Sequence, residues 1–378
     1  MRAIIFLVGL MMALNLPAQF RLTSTINVVM DTVNVKRYNF PDCETGFELV
    51  KLNVGFGDFE IINKEDIKKL KNAAIVSVDL VYTQFPKEEN FKELNGKRIE
   101  YLHLNLPELF SNSAIQWRLI SQNGCNSVAK ASSMFHGFVV KFRPGPSLES
   151  SLAERRDFKE SIRSKKPLGD STLFKIFKRN KNKFNEAAIV ADFTGSMSPY
   201  IVQLLVWYEL NFSTNKFSEF IFFNDGDFVA DDKKVVGKTG GLYYCHSKDK
   251  DSVLNTAIKC ITNGFGGDLP ENNLEAVLFS LKKNPKIKEV IMVADNYATP
   301  RDLSLLSKIK VPIKIILCGS DLHINPRYLE IAYATKGSIH TIEQDIEKLV
   351  EIQDGKTIKI GKQEFLLQKG KFIPVFKS

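Results

Sequence analysis

The side chains best placed to do chemistry are Asp192, Thr194 and Ser196, spaced two apart just after the apolar run Ala187 to Ala191. That run has strand character, and Gly195 lies between the two hydroxyl residues. Pro199 then opens a helix, expected to be amphipathic, because its fixed φ and missing N–H suit a first helical turn. A carboxylate and two hydroxyls on one loop at the carboxyl end of a strand offer hard oxygen donors for a small divalent cation.

Such a loop needs a scaffold that brings others beside it. From about Ser171 the sequence alternates short apolar runs with helical patterns. Strands are expected at Ala187–Ala191, Glu219–Phe223, Glu289–Ala294 and Ile313–Leu317. Helices are expected at Ile201–Leu210, Ser252–Ile261, Asn273–Leu281, Arg301–Ile309 and Tyr328–Thr335, with Gly337 as a C-cap. Continuously apolar strands between helices predict a parallel sheet covered on both faces. In such sheets ligands bind beyond the carboxyl ends of the strands, where strand order reverses. Three loops should meet there: the Asp192 loop, the stretch Asn263 to Glu271 (Asn-Gly-Phe-Gly-Gly-Asp-Leu-Pro-Glu), and Asp295-Asn296.

This pattern resembles the metal-ion-dependent adhesion site (MIDAS) of von Willebrand factor A (VWA) domains, Asp-x-Ser-x-Ser, with Thr194 in the first hydroxyl position. The likeness runs from about Ser171 to Ile352, and Gly-Gly-Asp-x-Pro-Glu resembles a bacterial subset of these domains. It implies a Rossmann-like, doubly wound, mostly parallel α/β sheet. It also implies a metal set of Asp192, Thr194, Ser196, Asp268 and Asp295, with Asp268 standing where the family has a threonine. Mg²⁺ is the implied ion, with Mn²⁺ or Ca²⁺ as alternatives, and an open coordination position would take a partner's acidic side chain. A third carboxylate at Asp268 would weaken that attraction; alternatively Asp268 caps the helix that starts near Pro270.

The rest of the chain sets the context. Arg2, the apolar run Ala3 to Leu14 and Leu16-Pro17-Ala18 read as a secretory signal peptide cleaved after Ala18, so the protein is expected to be exported, periplasmic or secreted. No later stretch approaches the ~20 apolar residues of a membrane helix. The formal net charge of +9 is spread along the chain, densest from Arg155 to Lys183, and reads as a solvated linker rather than a nucleic-acid surface. Five cysteines leave one over: Cys43 could pair with Cys125 and Cys245 with Cys260, leaving Cys318 as a buried thiol.

The organisation expected is a signal peptide (1–18), a smaller β-rich α+β domain (19–145), a linker (146–170), the VWA-like domain (171–352) and a C-terminal extension of small strands (353–378). Within the first domain, Val76 to Tyr82 and Phe135 to Phe142 read as strands and Asn63 to Leu70 as a short helix. Ser338 to Thr341 is expected as a last edge strand and Gln344–Ile352 as a last helix.

Other polar motifs carry less. Asn224-Asp225-Gly226-Asp227 reads as a surface turn, because the remaining ligands of a calcium loop are missing. His136, His340, Trp117 and Trp207 read as core, and no Ser/His/Asp set can be assembled. The function expected is a non-enzymatic interaction protein engaging a protein or cell-envelope partner. Asp-Phe-Thr-Gly-Ser also resembles the phosphorylation loop of P-type ATPases, so the alternative is a Mg²⁺-dependent phosphohydrolase with Asp192 as nucleophile.

Overall fold

The computed structural model describes residues 18–21, 27–43, 47–70, 73–110, 115–144, 160, 171–184, 186–214, 216–264, 270–320 and 323–375. The leader reading (apart from Ala18), most of the linker and the Phe265 to Leu269 part of the second loop therefore lie outside the described residues.

The N-terminal region forms one six-stranded mixed sheet, ordered β1-β2-β5-β4-β6-β3. Its strands are β1 (Ala18–Arg21), β2 (Asn27–Val35), β3 (Glu48–Asn53), β4 (Ala74–Thr83), β5 (Gln116–Gln122) and β6 (Gly137–Arg143). The strands expected at Val76 to Tyr82 and Phe135 to Phe142 are β4 and β6, and Lys64–Leu70 is a 3₁₀ helix. Helix α1 (Lys92–Asn105) carries the crossover from β4 to its parallel neighbour β5 and buries Ile99 and Leu102 against the sheet. A short helix, α2 (Val128–Ser132), precedes β6. Trp117 and His136 are buried, as expected.

The second sheet has seven strands, ordered β13-β12-β11-β10-β7-β8-β9. These are β7 (Ala188–Asp192), β8 (Glu219–Phe223), β9 (Leu242–His246), β10 (Val290–Asp295), β11 (Ile313–Cys318), β12 (Ser338–His340) and β13 (Asp345–Ile346). The five inner strands are parallel, and β9 and β13 close the edges antiparallel. Side chains alternate between two cores, as the pleat requires. Ala188 and Val190 pack with Leu274, Val277 and Leu329, while Ile189 and Ala191 pack with Ile201, Leu204 and Val253.

Helices α3 (Thr172–Arg179), α4 (Ser198–Leu210) and α5 (Lys250–Asn263) line one face of this sheet. Helices α6 (Asn273–Lys283) and α7 (Pro326–Ala334) line the other. A three-stranded meander of β14 (Thr357–Ile360), β15 (Gln363–Gln368) and β16 (Lys371–Val375) buries Phe365, Leu367 and Phe372 in the α7-side core.

Several expectations need correction. Helix α4 is buried from Ile201 to Tyr208 rather than amphipathic, because α3 covers its outer side and Phe177 stacks on Trp207 at 4.5 Å. The segment 301–309 forms only a 3₁₀ helix, Leu303–Lys308. Gln344–Ile352 is not a helix: Asp345–Ile346 pairs with β12, and Leu349–Glu351 is a 3₁₀ turn, so β12 is not the edge. The Cα turn after α7 is closed by Lys336 (φ 56), with Lys336 N–H bonded to Tyr333 O and Gly337 N–H to Ala332 O. Gly337 is needed for proximity instead, since a Cβ there would meet the Ile313 carbonyl at 1.8 Å. All five cysteines are free thiols, so neither proposed pairing is formed; Cys245, Cys260 and Cys318 serve as small apolar side chains in the α4-side core.

Candidate functional site

Strand order reverses between β7 and β10: the chain leaves β7 toward β8 on one side, and β10 continues to β11 on the other. Asp192 ends β7 and Asp295 ends β10, so both acids sit at the carboxyl edge of this crevice. Asp192 is fully buried; Thr194 donates to its Oδ1 twice, from the backbone N–H at 2.9 Å and from Oγ1 at 2.6 Å. The Thr194 and Ser196 hydroxyls lie 3.4 Å apart, which places three oxygen donors of one loop side by side. Ser198 Oγ donates to the Gly195 carbonyl at 2.7 Å and ties that loop to the start of α4. Asp295 Oδ1 accepts the Tyr297 N–H at 2.9 Å.

Among the described residues, Asp192 Oδ2 has no hydrogen-bond partner although it is buried. Burial, opposed by the Thr194 bonds and aided by Asp295 and Asp225, pushes this carboxyl up to about 7. An orphaned carboxylate oxygen in the interior is costly, and its persistence asks for a ligand or a proton.

Two acids join the site that the sequence reading did not assign to it. Asp225, expected in a surface turn, is buried just beyond β8 in a left-handed conformation (φ 60). Its Oδ2 accepts Lys234 Nζ at 2.5 Å and Arg301 Nη2 at 2.6 Å, and both cations are themselves largely buried. Burial pushes the Asp225 carboxyl up toward about 7, against the pull of Arg301 and Lys234. The turn was misread because its composition is polar, whereas the partners that bury it lie 9 and 76 residues away.

Glu271 is the second. Its backbone is stitched to the segment after β10, with Glu271 N–H bonded to Thr299 O at 3.1 Å and Arg301 N–H to Glu271 O at 2.8 Å. Its carboxyl is buried with Oε2 unpartnered among the described residues, and burial together with Asp192, Asp225 and Asp295 holds it well above the usual carboxylate range. Arg301 opposes that shift and also donates to the Pro270 carbonyl. Asp192, Asp225, Glu271 and Asp295 thus stand against Lys234 and Arg301, a formal excess of two negative charges.

Asp268 lies outside the described residues. The N-terminus of α6, which it was one candidate to cap, has its Glu275 N–H taken by Asp302 Oδ2 at 2.6 Å. The Glu275 carboxylate in turn accepts the Thr239 and Gly240 N–H groups at 3.0 and 3.1 Å, docking that loop on α6.

A Ser/His/Asp array does assemble, at the β13 edge. Ser338 Oγ lies 2.8 Å from His340 Nε2, and His340 Nδ1 lies 2.7 Å from Asp345 Oδ1. Its geometry is that of a fastener rather than a nucleophile. Ser338 is 4% exposed, the Phe184 ring packs edge-on against His340, and Asp345 is already engaged by Arg179 through two bonds and by Asn180.

No known protein family's profile matches the chain, and no curated protein does. The functional reading therefore rests on the site. Among the described residues, no three His, Cys, Asp or Glu side chains are grouped closely enough to hold a metal by themselves. The donors that do stand together are mixed, two hydroxyls beside Asp192. That mixture suits an ion such as Mg²⁺, which takes few protein ligands and keeps several waters. The orphaned Asp192 Oδ2 beside two hydroxyls fits a divalent cation in donor chemistry.

Proposed function

We propose that this chain is an exported, non-enzymatic binding protein whose larger domain is of the VWA type and engages a protein or envelope partner through a divalent cation. The observation that carries the reading is the buried, unpartnered Asp192 Oδ2 beside the Thr194 and Ser196 hydroxyls, at the crevice it shares with Asp295. Bound there, the ion would supply a positively charged open coordination position for an anionic ligand group. Asp192, Thr194, Ser196 and Asp295 would hold it, directly or through water, and Asp268 lies on the remaining loop.

The chain's own groups prepare that position. Thr194 fixes one oxygen of Asp192 and leaves the other to face a ligand. Lys234 and Arg301 hold Asp225 beneath the rim, so the loop after β8 keeps its shape whether or not an ion is present. Hydroxyl donors coordinate without cancelling charge, which preserves the ion's attraction for an acid.

Loss of the free Mn²⁺ electron paramagnetic resonance signal on adding the protein tests this reading. Wild type should bind about one ion per chain, displaceable by Mg²⁺, and Asp295→Ala should bind it at least about tenfold more weakly. Equal Mn²⁺ binding by wild type and by both Asp192→Ala and Asp295→Ala would refute the site.

A further inference from the structure

The N-terminal domain touches the larger one on the rim of this site. Phe47 immediately precedes β3, and the register Glu48↔Phe142 sets it opposite Arg143 at the end of β6. Arg143 Nη2 donates to the Ser196 carbonyl at 3.4 Å, on the first loop. Phe47 packs edge-on against Tyr297, centroids 6.0 Å apart, on the loop after β10. Lys141 Nζ lies 4.9 Å from the centre of the Phe47 ring, so a second cation stands at the same corner.

The receiving surface is fixed in place. The Tyr297 ring leans on His323 at 5.0 Å, and its backbone N–H holds Asp295. Gly319 (φ 71) lies under the same ring, where a Cβ would meet Tyr297 Cε2 at 2.8 Å. Both contacts of the small domain thus fall on the loops that carry Ser196 and Asp295.

We infer that the N-terminal domain supplies the anion-recognising half of the binding site, with Arg143 gripping a ligand carboxylate whose other oxygen faces the ion; this rests on the metal reading above. Ser196 carries its hydroxyl on the metal loop and gives its carbonyl to Arg143, so a bound ion and the guanidinium would be two positive groups bordering one residue. Such a pair repels unless an anion lies between them. A guanidinium carries five N–H donors in a planar fork matched to carboxylate, and the bond to Ser196 uses one. Phe47 and Tyr297 wall the position with apolar surface, which strengthens charged bonds beside it. The ligand class is therefore a carboxylate on an extended chain, such as an acidic side chain of a protein partner. Arg143 acts as a specificity residue, and the small domain has a role in recognition rather than in spacing.

Calorimetric titration of glutarate into the full chain, in saturating Mg²⁺ and in EDTA, tests this, with glutaramide as the uncharged control and Mg²⁺ titrated separately. Glutarate should bind wild type only with Mg²⁺. Arg143→Ala should weaken it about tenfold or more, with Mg²⁺ affinity unchanged or tighter. Arg143→Lys keeps the charge without the fork and should fall between them, and it serves as the measure should the alanine variant not fold. Glutarate binding that is equal in Arg143→Ala and Arg143→Lys to wild type, that persists in EDTA, or that is absent from Mg²⁺-loaded protein overturns this inference alone. Failure of wild type to bind Mg²⁺ overturns the metal reading and this inference together.

Discussion

Two aspartates in one sheet, Asp192 buried and Asp345 half-buried, have opposite surroundings. Asp345, at the β13 edge, accepts bonds from Arg179, Asn180 and His340, and these pull its carboxyl down to about 2 against the cost of burial. Asp192, at the carboxyl end of β7, has one oxygen held by Thr194 and the other without a partner among the described residues, and burial raises it to about 7. A satisfied network fixes structure; an unsatisfied buried one costs stability, and the proposed ion site would account for that cost at Asp192. Arg179 shows what the first kind does, since it also donates to the Thr341 and Ile342 carbonyls and fastens α3 to the far edge of the sheet.

The contrast can be broken at four points. Arg301→Ala should have the largest effect, about 3–5 kcal/mol of lost stability in urea unfolding, because it leaves Asp225 and Glu271 buried beside one remaining cation. A loss under about 1 kcal/mol would mean that the acids are not dependent on it. Asp345→Ala should cost about 2–3 kcal/mol, freeing the β13 edge and leaving His340 and Arg179 without their shared acceptor. Asp192→Asn should act in the other direction. In EDTA it should raise stability by about 1–3 kcal/mol, since the amide keeps an acceptor for Thr194 and removes a buried charge.

The smallest effect separates the two acids by pH. Asp345 is depressed in the folded state, so it stabilises above the unfolded-state value near 4, and that stability is lost as pH falls toward about 2. The loss should be about 1–2 kcal/mol, allowing for solvent at the cluster's rim. Asp345→Asn should flatten this acid limb. Asp192 is raised, so its penalty is absent at low pH and grows as pH climbs toward 7, and Asp192→Asn should flatten the neutral limb instead.

Much of the larger sheet was legible because its strands are buried on both faces. Glu219–Phe223 and Ile313–Cys318 read as mostly apolar runs, each with a single charged residue (Glu219 and Lys314), and they lie within a residue of where the sequence places them. Residues that take their structure from distant partners were not legible. Asp345 sits in a stretch with helical composition but is pulled into a strand by Arg179, 166 residues away. Asp225 looked like turn chemistry until Lys234 and Arg301 buried it. The Asp192, Thr194, Ser196 loop was legible as a local motif, and Asp295 as the residue ending an apolar strand. Arg143 offered no local signal, because its meaning comes from the contact with Ser196 across two domains.

The most direct test of the account is thermal unfolding of wild type and Asp192→Asn in EDTA and in Mg²⁺. At ten times the dissociation constant the ion should stabilise wild type by roughly 1.4 kcal/mol, a rise of about 3–6 °C. Asp192→Asn should start higher in EDTA and gain nothing from Mg²⁺. A variant that gains as much from Mg²⁺ as wild type, or that is less stable than wild type in EDTA, would contradict the claim that Asp192 is held unsatisfied for an ion.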